Sequence, residues 1–550
     1  MSRIKLFYSP WRTLVLFIFL WFGILIVTGT INSGFHLTDD HDVIRIKNEL
    51  SQTSLSHEIQ SIGKELFSSK LRFRPFYTLH RRLITAVFGG DFLLWSIYTG
   101  LLAALTTFFL FRFMQRIGFA QMGSLFFSFL VLFGEQSAIW WKLGANETLG
   151  MFILSIALFY MAAAADPITT LREKRRNEFL FILFAILASW SKESFVLMIP
   201  AIIYWKIWLT VRNGKITGEP IHMPDVPIFQ AIKKNKISIL ILLLLFFWES
   251  YHILTSISMT KIQLNTGHPM HWTALFFSFA RSLWAVQGWA LVILLIIAGV
   301  LFFRRNRTKE KIPYMNSLSV ILWSVLLAGL IIGPQLIIYL KSGIYERYLL
   351  PGIIGYVFIA ILLLEYIRDI TADELKNVPS IRWLYLVAAI ILTFALVQSL
   401  RITRYTAVGF AREGFYTNNW LQTIRQNTRP QDVILVITDP VRCLEASPSL
   451  QAYLEYEMDR ENVIFSSINI TEPKRNSKFW KSLNRRFVSN FPEFSLDNED
   501  DRNRIDAILV FPGLEKSFLK YSLHRFQLNK YLRYSNSAGF VSYYIADSSK

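Results

Sequence analysis

Three acids and a histidine follow the first apolar run of the chain, as Asp39, Asp40, His41 and Asp42 in "GFHLTDDHDVIRI". A carboxylate at such a membrane exit can deprotonate an acceptor hydroxyl or amine, or hold a divalent cation such as Mg²⁺ or Mn²⁺. Acids also suit a helix N-terminus, where they cap amides and favour the helix dipole. The sequence therefore predicts Asp39 and Asp40 as catalytic residues or metal ligands, with helix capping as the alternative.

Basic side chains lie at the ends of three other apolar runs. They are Arg74 in "RFRP", Lys192 beside Glu193 in "SWSKESF", and Arg347 in "YERYLLPG". A guanidinium can grip a phosphate with two parallel hydrogen bonds, and a lysine supplies a compact positive charge. These residues are candidates for a phosphate pocket; anchoring at the membrane interface is the alternative for each.

Glu193 and two further groups are candidates for lining a cavity. Lys142, Asn146 and Glu147 occur in "WWKLGANETLG", where Asn146 and Glu147 also suit a helix start. Glu249 and His252 are three residues apart in "LLLLFFWESYHIL" and so share a helix face. An acid inside an apolar helix is a functional hypothesis by default, and a buried structural pair is the alternative.

Long apolar runs must position these residues. Of the 550 residues, 53% are hydrophobic and only 18% are charged, whereas soluble proteins carry about 25% charged residues. The runs predict an α-helical polytopic membrane protein with about 11 transmembrane helices. We place them at about 13–31, 92–111, 118–134, 147–165, 178–190, 195–211, 237–258, 283–303, 317–340, 348–367 and 383–400.

The distribution of Lys and Arg predicts the orientation. Basic residues concentrate in alternate loops, which the positive-inside rule assigns to the cytoplasm. The net charge of +19 thus indicates membrane topology rather than nucleic-acid binding. We expect a multi-pass protein of the bacterial inner membrane, with a cytoplasmic N-terminus, a retained first span and an outer first loop at about 32–91. Leu55, Ile59, Ile62 and Leu66 predict a short helix in that loop.

The sequence pattern changes after residue 400, where short apolar segments replace the long apolar runs. "VILVITD" and "AILVF" predict buried strands, "SKFWKSLNRRFVSNF" predicts a helix, and "YLRYSNSAGFVSYYIA" predicts a terminal hairpin. We therefore predict a transmembrane domain at 1–400 and a small extracytoplasmic α/β domain at 401–550. The single cysteine, Cys443, allows no disulfide within the chain.

These motifs resemble those of the GT-C superfamily of integral-membrane glycosyltransferases. The branch that they resemble is that of protein O-mannosyltransferases and aminoarabinose lipid A transferases, and it is similar to glycosyltransferase family 39. "DD" is similar to the family's acidic pair after the first span, and "RFRP" to its Arg-Pro element. "WWKLGANETLGMF", "SKES" and "YERYLLPG" are similar to three further elements. One departure is Ala145, which stands where the family usually has Arg.

The resemblance implies a GT-C fold and an inverting transfer of a sugar from a polyprenyl-phosphate-linked donor. It implies Asp39 or Asp40 as general base, and Arg347, helped by Lys192 and Arg74, as the group that neutralises the leaving phosphate. The acceptor would be a lipid, a glycan or a protein, the partners would include membrane lipids but no nucleic acid, and no cofactor beyond a divalent cation is implied.

Two other functions remain open at this stage. An O-antigen-type polymerase or ligase also acts on lipid-linked sugars, but usually has its large loop between late spans. A transporter or flippase without chemistry would place charged residues at the bilayer midplane and show inverted repeats. This chain shows charges mostly at the ends of its apolar runs and no repeat, with Glu249 as the exception.

Overall fold

The computed structural model describes most of the chain. The described residues are 9–38, 40–53, 60, 74–166, 168–212, 228–260, 272–307, 315–342, 346–374, 382–439, 443, 445–467, 478–522 and 526–545. Asp39 lies outside them, and so does the helix predicted around Leu55 to Leu66.

Helices dominate the first 427 residues. In chain order they are α1 (Pro10–Thr28), α2 (His41–Gln52), α3 (Pro75–Phe88), α4 (Phe92–Arg116), α5 (Gln121–Leu132), α6 (Asn146–Ala165), α7 (Leu171–Ser189), α8 (Glu193–Val196), α9 (Ile199–Arg212), α10 (Ile228–Lys234), α11 (Lys236–Thr260), α12 (Trp272–Ala285), α13 (Gly288–Arg307), α14 (Met315–Ser342), α15 (Ile353–Glu374) and α16 (Arg382–Asn427). Short 3₁₀ turns at Thr30–Asn32, Glu135–Trp140 and Glu346–Leu349 connect some of them.

Each of the eleven predicted apolar runs corresponds to a helix or a pair of helices. Among the described residues, six helices are long and apolar enough to cross a membrane. Counting the pair Phe276–Ala285 and Gly288–Phe303, which is bent by 91°, as one span gives seven. The multi-pass helical architecture is therefore confirmed, whereas the count of about eleven spans stays a prediction.

Local sequence explains where several helices begin. Pro10 occupies the first position of α1, where its fixed φ and missing amide proton are tolerated. Thr170 and Glu173 form a capping box at the start of α7, and each satisfies a backbone amide of the other. The bundle core is apolar and rich in aromatic side chains such as Trp21, which contacts the ring of Phe133 at 5.2 Å between centroids.

A five-stranded mixed sheet follows α16, with strand order β2-β1-β3-β5-β4. The elements after α16 are β1 (Ile434–Thr438), α17 (Ala446–Glu457), β2 (Val463–Ser467), α18 (Lys478–Leu483), α19 (Arg485–Asn490), α20 (Glu499–Asn503), β3 (Ala507–Val510), α21 (Glu515–Ser522), β4 (Tyr531–Ser535) and β5 (Val541–Ile545). The central strand β1 is parallel to β2 and β3, and it is fully buried, as expected for a continuous apolar run. We call the described residues from 432 to 545 the sheet domain.

The long helix α16 connects the bundle to the sheet domain without a break at residue 400. Its last turns, with Trp420 and Ile424, belong to the core of the sheet domain, and so do Phe35 and Ile44 from the first loop. The first loop is therefore held between the bundle and the sheet domain. The domain limits of 1–400 and 401–550 stay a prediction, because the helix runs across that boundary.

Candidate functional site

Charged side chains from four separate parts of the chain meet at the end of the bundle that carries the sheet domain. Arg74 directly precedes α3, Glu147 lies in the first turn of α6, Lys192 precedes α8, and Arg347 lies in the 3₁₀ turn Glu346–Leu349. We call these residues, together with Glu193, the ion-pair cluster. The structure thus brings together the three residues predicted for phosphate binding and two predicted cavity residues.

The cluster contains two ion pairs, and an aromatic ring joins the lysine of one of them to Arg347. Arg74 donates from Nε and Nη2 to Oε2 of Glu193, at 2.9 and 2.6 Å. Lys192 donates from Nζ to Oε1 of Glu147. The ring of Tyr348 lies 4.7 Å from Lys192 Nζ and 5.2 Å from the guanidinium carbon of Arg347, both measured to the ring centroid. The ring therefore attracts both cations.

Burial separates a fixed inner pair from an exchangeable outer pair. The side chains of Lys192 and Glu147 are only 8% and 3% exposed, and a buried ion pair is costly to break. Arg347 approaches Oε1 of Glu445 in the sheet domain at 3.5 Å, and the side chain of Glu445 is 52% exposed. Such a long, half-exposed pair contributes little. Glu445 is therefore the carboxylate that an incoming phosphate can most easily displace.

The carboxylate of Asp40 is buried, with the residue only 1% exposed. Its Oδ2 accepts the amide of His36 at 2.9 Å. Asp40 occupies the N-cap position of α2, but its side chain does not cap that helix. The capping alternative is therefore wrong for Asp40, because the carboxylate points back toward the preceding loop. Asp39 lies outside the described residues.

Two contacts with α16 fix the loop that leads to Asp40. The amide of Asn418 donates to the carbonyls of Ser33 and Phe35, at 3.0 and 3.2 Å. Gly34 has a φ of +74°, and a Cβ there would lie 2.5 Å from the Asn418 amide nitrogen. Gly414 approaches so closely that a Cβ would lie 2.3 Å from the Ser33 carbonyl. Only glycine allows the two segments this contact.

His36 is buried in the same loop, and its ring stacks on Phe410 with centroids 3.6 Å apart. Burial, with the positive charge of Lys142, lowers the pKa of His36 to about 3. The histidine is therefore neutral at physiological pH. It stabilises the loop by packing rather than by charge.

A chain of contacts that the sequence analysis missed connects α2 to the turn that precedes α6. Asp42 lies 3.4 Å from Nη1 of Arg81, and Arg81 donates to the hydroxyl of Tyr77. That hydroxyl donates to the carbonyl of Gly144 at 2.8 Å. Burial raises the pKa of Tyr77, partly offset by Arg81, so the hydroxyl keeps its proton. The spacing of Tyr77 and Arg81, four apart on α3, is the signal that could have indicated this link.

The remaining predicted residues lie elsewhere. Asn146 is the first residue of α6 rather than its cap, which is Ala145, so the capping interpretation is wrong. Glu249 is buried in α11 and its Oε1 accepts the hydroxyl of Ser189 at 2.8 Å. His252 packs edge-on against Trp248, with ring centroids 5.1 Å apart. Glu249 therefore contacts α7, His252 packs within its own helix α11, and neither residue belongs to the ion-pair cluster.

Lys142 lies in the lining of an open cavity of about 650 Å³, between the 3₁₀ turn Glu135–Trp140 and α16. Thr38, two residues before Asp40, lines the same cavity. The cavity therefore borders the loop that carries Asp39 and Asp40, which we call the acidic loop.

The described residues provide no set of three His, Cys, Asp or Glu side chains close enough to hold a metal ion. The carboxylate of Asp40 already accepts a backbone amide, and Asp39 lies outside the described part of the chain. A divalent cation at these two acids therefore stays a prediction, and we derive no step through it.

Crystal structures of ArnT from Cupriavidus metallidurans are similar to nearly the whole chain. The apo form has a TM-score of 0.50 at 12% identity and covers 95% of this chain and 97% of ArnT. The form bound to undecaprenyl phosphate has a TM-score of 0.51 at 11% identity and covers 97% and 98%. At such low identity the likeness establishes the fold alone. It shows that the chain shares the fold of ArnT over nearly its whole length.

An apo structure of the Archaeoglobus fulgidus oligosaccharyltransferase has a TM-score of 0.45 at 12% identity. It covers 98% of this chain and 75% of that one, and the likeness is too weak to support an argument. No protein-family model and no curated protein matches the chain.

Proposed function

We propose that this protein is a membrane glycosyltransferase that transfers a sugar from a polyprenyl-phosphate-linked donor to an acceptor, with inversion at the sugar. The observation that carries the proposal is the meeting of Arg74, Lys192 and Arg347 in one cluster of a GT-C fold. ArnT, which has the same fold, is bound to undecaprenyl phosphate in one of its structures. A lipid phosphate is therefore the ligand that best fits three gathered cations.

The cluster is suited to stabilise a leaving phosphate. Arg347 and Lys192 lie against one aromatic ring, and Nη2 of Arg347 is 3.5 Å from Oε1 of the half-exposed Glu445. When the bond between the sugar and the phosphate oxygen breaks, its electron pair goes to that oxygen. Preorganised cations at this position stabilise the developing charge without having to reorient. Arg74, tied to Glu193, fixes the start of α8 and thereby the position of Lys192.

The acidic loop supplies the base. Asp39 or Asp40 takes the proton from the acceptor hydroxyl or amine as that group attacks the sugar carbon. The attack comes from the face opposite the leaving phosphate oxygen, which accounts for inversion. The clamp by Asn418 and the close contact at Gly414 hold this loop against α16, so the base is positioned by the fold.

Membrane orientation is the first property to test. The proposal places the N-terminus in the cytoplasm and the cluster, with the sheet domain, outside. A phosphatase reporter that is active only outside the cytoplasm should be active after Lys550 and inactive after Arg175 or Thr308. An inactive fusion after Lys550, with normal protein levels, would contradict the outward-facing site.

Variants of Arg347 test donor-phosphate recognition. Lysine keeps the charge but loses the two-pronged geometry, and alanine loses both. A charge-assisted hydrogen bond contributes about 1.5–3 kcal/mol, so Arg347→Ala should reduce transfer about tenfold to 150-fold, with a smaller loss in Arg347→Lys. The measurement is the rate of transfer from a synthetic polyprenyl-phosphate sugar by purified protein without any ion gradient.

Arg281 provides the matched control. It pairs with Glu135, with Nη2 and Oε2 3.1 Å apart, and its side chain is half exposed. Arg281→Ala removes the same charge outside the cluster, and we expect it to leave transfer within about twofold. Wild-type rates in Arg347→Lys and Arg347→Ala would make Arg347 an interfacial anchor. Wild-type protein that moves lipid-linked sugar but never transfers it would favour the transporter function.

A further inference from the structure

The cavity beside the acidic loop is strongly basic. Lys142 contributes to one wall, and Arg401, Arg404 and Arg412 of α16 contribute to the other. Glu413 is the acid among the residues that line the cavity of about 650 Å³. The lining therefore has a formal charge of +3 from these five side chains. A cavity lined by side chains of mainly one charge attracts ions of the opposite charge, here an anion.

The arginines that line the cavity form no ion pair among the described residues, although Glu413 lines the same cavity. In the part of the chain that the structure describes, no ion pair involves Arg401 or Arg404. Arg412 donates from Nε to the hydroxyl of Tyr416 at 3.3 Å and lies over its ring. This contrasts with Arg74 and Lys192 of the ion-pair cluster, each of which has a glutamate partner. The guanidinium groups of Arg401 and Arg404 are therefore available to bind an anion.

On the N-terminal side of the cavity arginines, α16 has an exposed apolar surface. Phe394, Val397 and Leu400 precede the first arginine, and their side chains are exposed. Val408 lies in the cavity lining and is also exposed. Arginines that follow an apolar span sit at the depth of lipid phosphates. The surface therefore suits an amphiphile whose phosphate enters the cavity while its chains lie along α16.

We propose that this cavity is a second anion site, which binds the phosphate headgroup of a membrane lipid. It shares no residue with the ion-pair cluster, so it does not serve the donor phosphate. Thr38 lines it two residues before Asp40, and bound lipid would therefore pack against the acidic loop. The site is defined by binding alone and stands independently of the transfer reaction.

The test measures lipid binding to the purified full-length protein in a neutral detergent, by native mass spectrometry. Dioctanoyl phosphatidic acid is the probe, and dioctanoyl phosphatidylcholine and inorganic phosphate are the comparisons. Each lost charge-assisted hydrogen bond weakens binding about tenfold or more. We expect the Arg401→Gln/Arg404→Gln variant to bind phosphatidic acid at least about tenfold more weakly. Lys142→Gln, which acts from the opposite wall, should also weaken it.

Two controls separate this site from general charge effects. Arg175→Gln/Arg176→Gln removes two exposed arginines of α7 and should bind phosphatidic acid like the wild type. Arg347→Ala should keep the binding that Arg401→Gln/Arg404→Gln loses, because the two sites are distinct. Thermal melting and gel filtration of each variant verify that it is folded. If Arg401→Gln/Arg404→Gln does not fold, Lys142→Gln still tests the site, because it leaves α16 unchanged.

Several results would overturn the proposal. Equal phosphatidic acid binding by the wild type, Arg401→Gln/Arg404→Gln and Lys142→Gln would show that these residues only anchor the helix at the interface. Competition by inorganic phosphate as effective as that by the lipid would indicate a site for free anions. Loss of binding in Arg347→Ala would assign the lipid to the ion-pair cluster. If transfer of sugar is never observed, the binding result still decides this proposal.

Discussion

Replacing one of the two acids of the first loop is expected to nearly abolish sugar transfer. General base catalysis contributes typically about a hundredfold to ten-thousandfold, so either Asp39→Asn or Asp40→Asn should lower the rate by about that factor. The other substitution should have a much smaller effect, because one base suffices. The measurement is single-turnover transfer from a synthetic polyprenyl-phosphate sugar, compared between the two variants and the wild type.

The structure explains why asparagine separates chemistry from folding at Asp40. The carboxylate accepts the His36 amide at 2.9 Å, and the amide oxygen of asparagine can accept the same bond. The contacts of Asn418 with residues 33 to 35 hold the loop independently of Asp40. Asp40→Asn should therefore fold normally, so that a lost rate reflects a lost base.

Asp91 offers a matched control at the other end of the same loop. Its Oδ1 accepts the amides of Leu93 and Leu94 and caps α4. Asparagine caps helices about as well as aspartate, so Asp91→Asn should leave both stability and transfer near the wild type. Full turnover in both Asp39→Asn and Asp40→Asn would contradict the proposed base. Asp42, which faces Arg81, would then be the next acid to test.

The helical architecture could be predicted because each apolar run is long and continuous. Strands β1 and β3 and the final hairpin were predicted as well, since "VILVITD" and "AILVF" are buried runs and "SNSAG" separates the two strands of the hairpin. Strand β2 was missed, because "VIFSS" is short and half polar. Tertiary pairing with β1, and not local pattern, defines this strand.

The members of the ion-pair cluster could be selected from sequence, but their partners could not. The resemblance singled out Arg74, Lys192 and Arg347 one motif at a time. The pairing of Lys192 with Glu147 depends on how α6 and α8 pack. The Asp40 carboxylate points toward His36 because Asn418 of α16, more than 370 positions away in the chain, holds the loop before it. The basic cavity needs α16 to continue past residue 400, where the predicted span ends.

Breaking the buried pair of Glu147 and Lys192 should have the largest effect on stability. Glu147→Gln leaves the Lys192 ammonium, whose side chain is 8% exposed, without its carboxylate. Removing one partner of a buried ion pair costs about 3–5 kcal/mol. The ring of Tyr348 offsets part of this, which favours the lower end. We expect a clear drop in the thermal unfolding midpoint of Glu147→Gln in detergent.

The double variant then separates a structural lysine from a functional one. In Glu147→Gln/Lys192→Met no buried charge is left unpaired, so most of the lost stability should return. If Lys192 also neutralises the donor phosphate, this stable protein should still transfer sugar at least about tenfold more slowly than the wild type. Lys206 and Glu178 form a similar pair between α9 and α7, outside the cluster. The equivalent double variant there, Glu178→Gln/Lys206→Met, should fold and keep its rate. Wild-type transfer by Glu147→Gln/Lys192→Met would confine Lys192 to a structural role and leave Arg347 as the principal phosphate ligand.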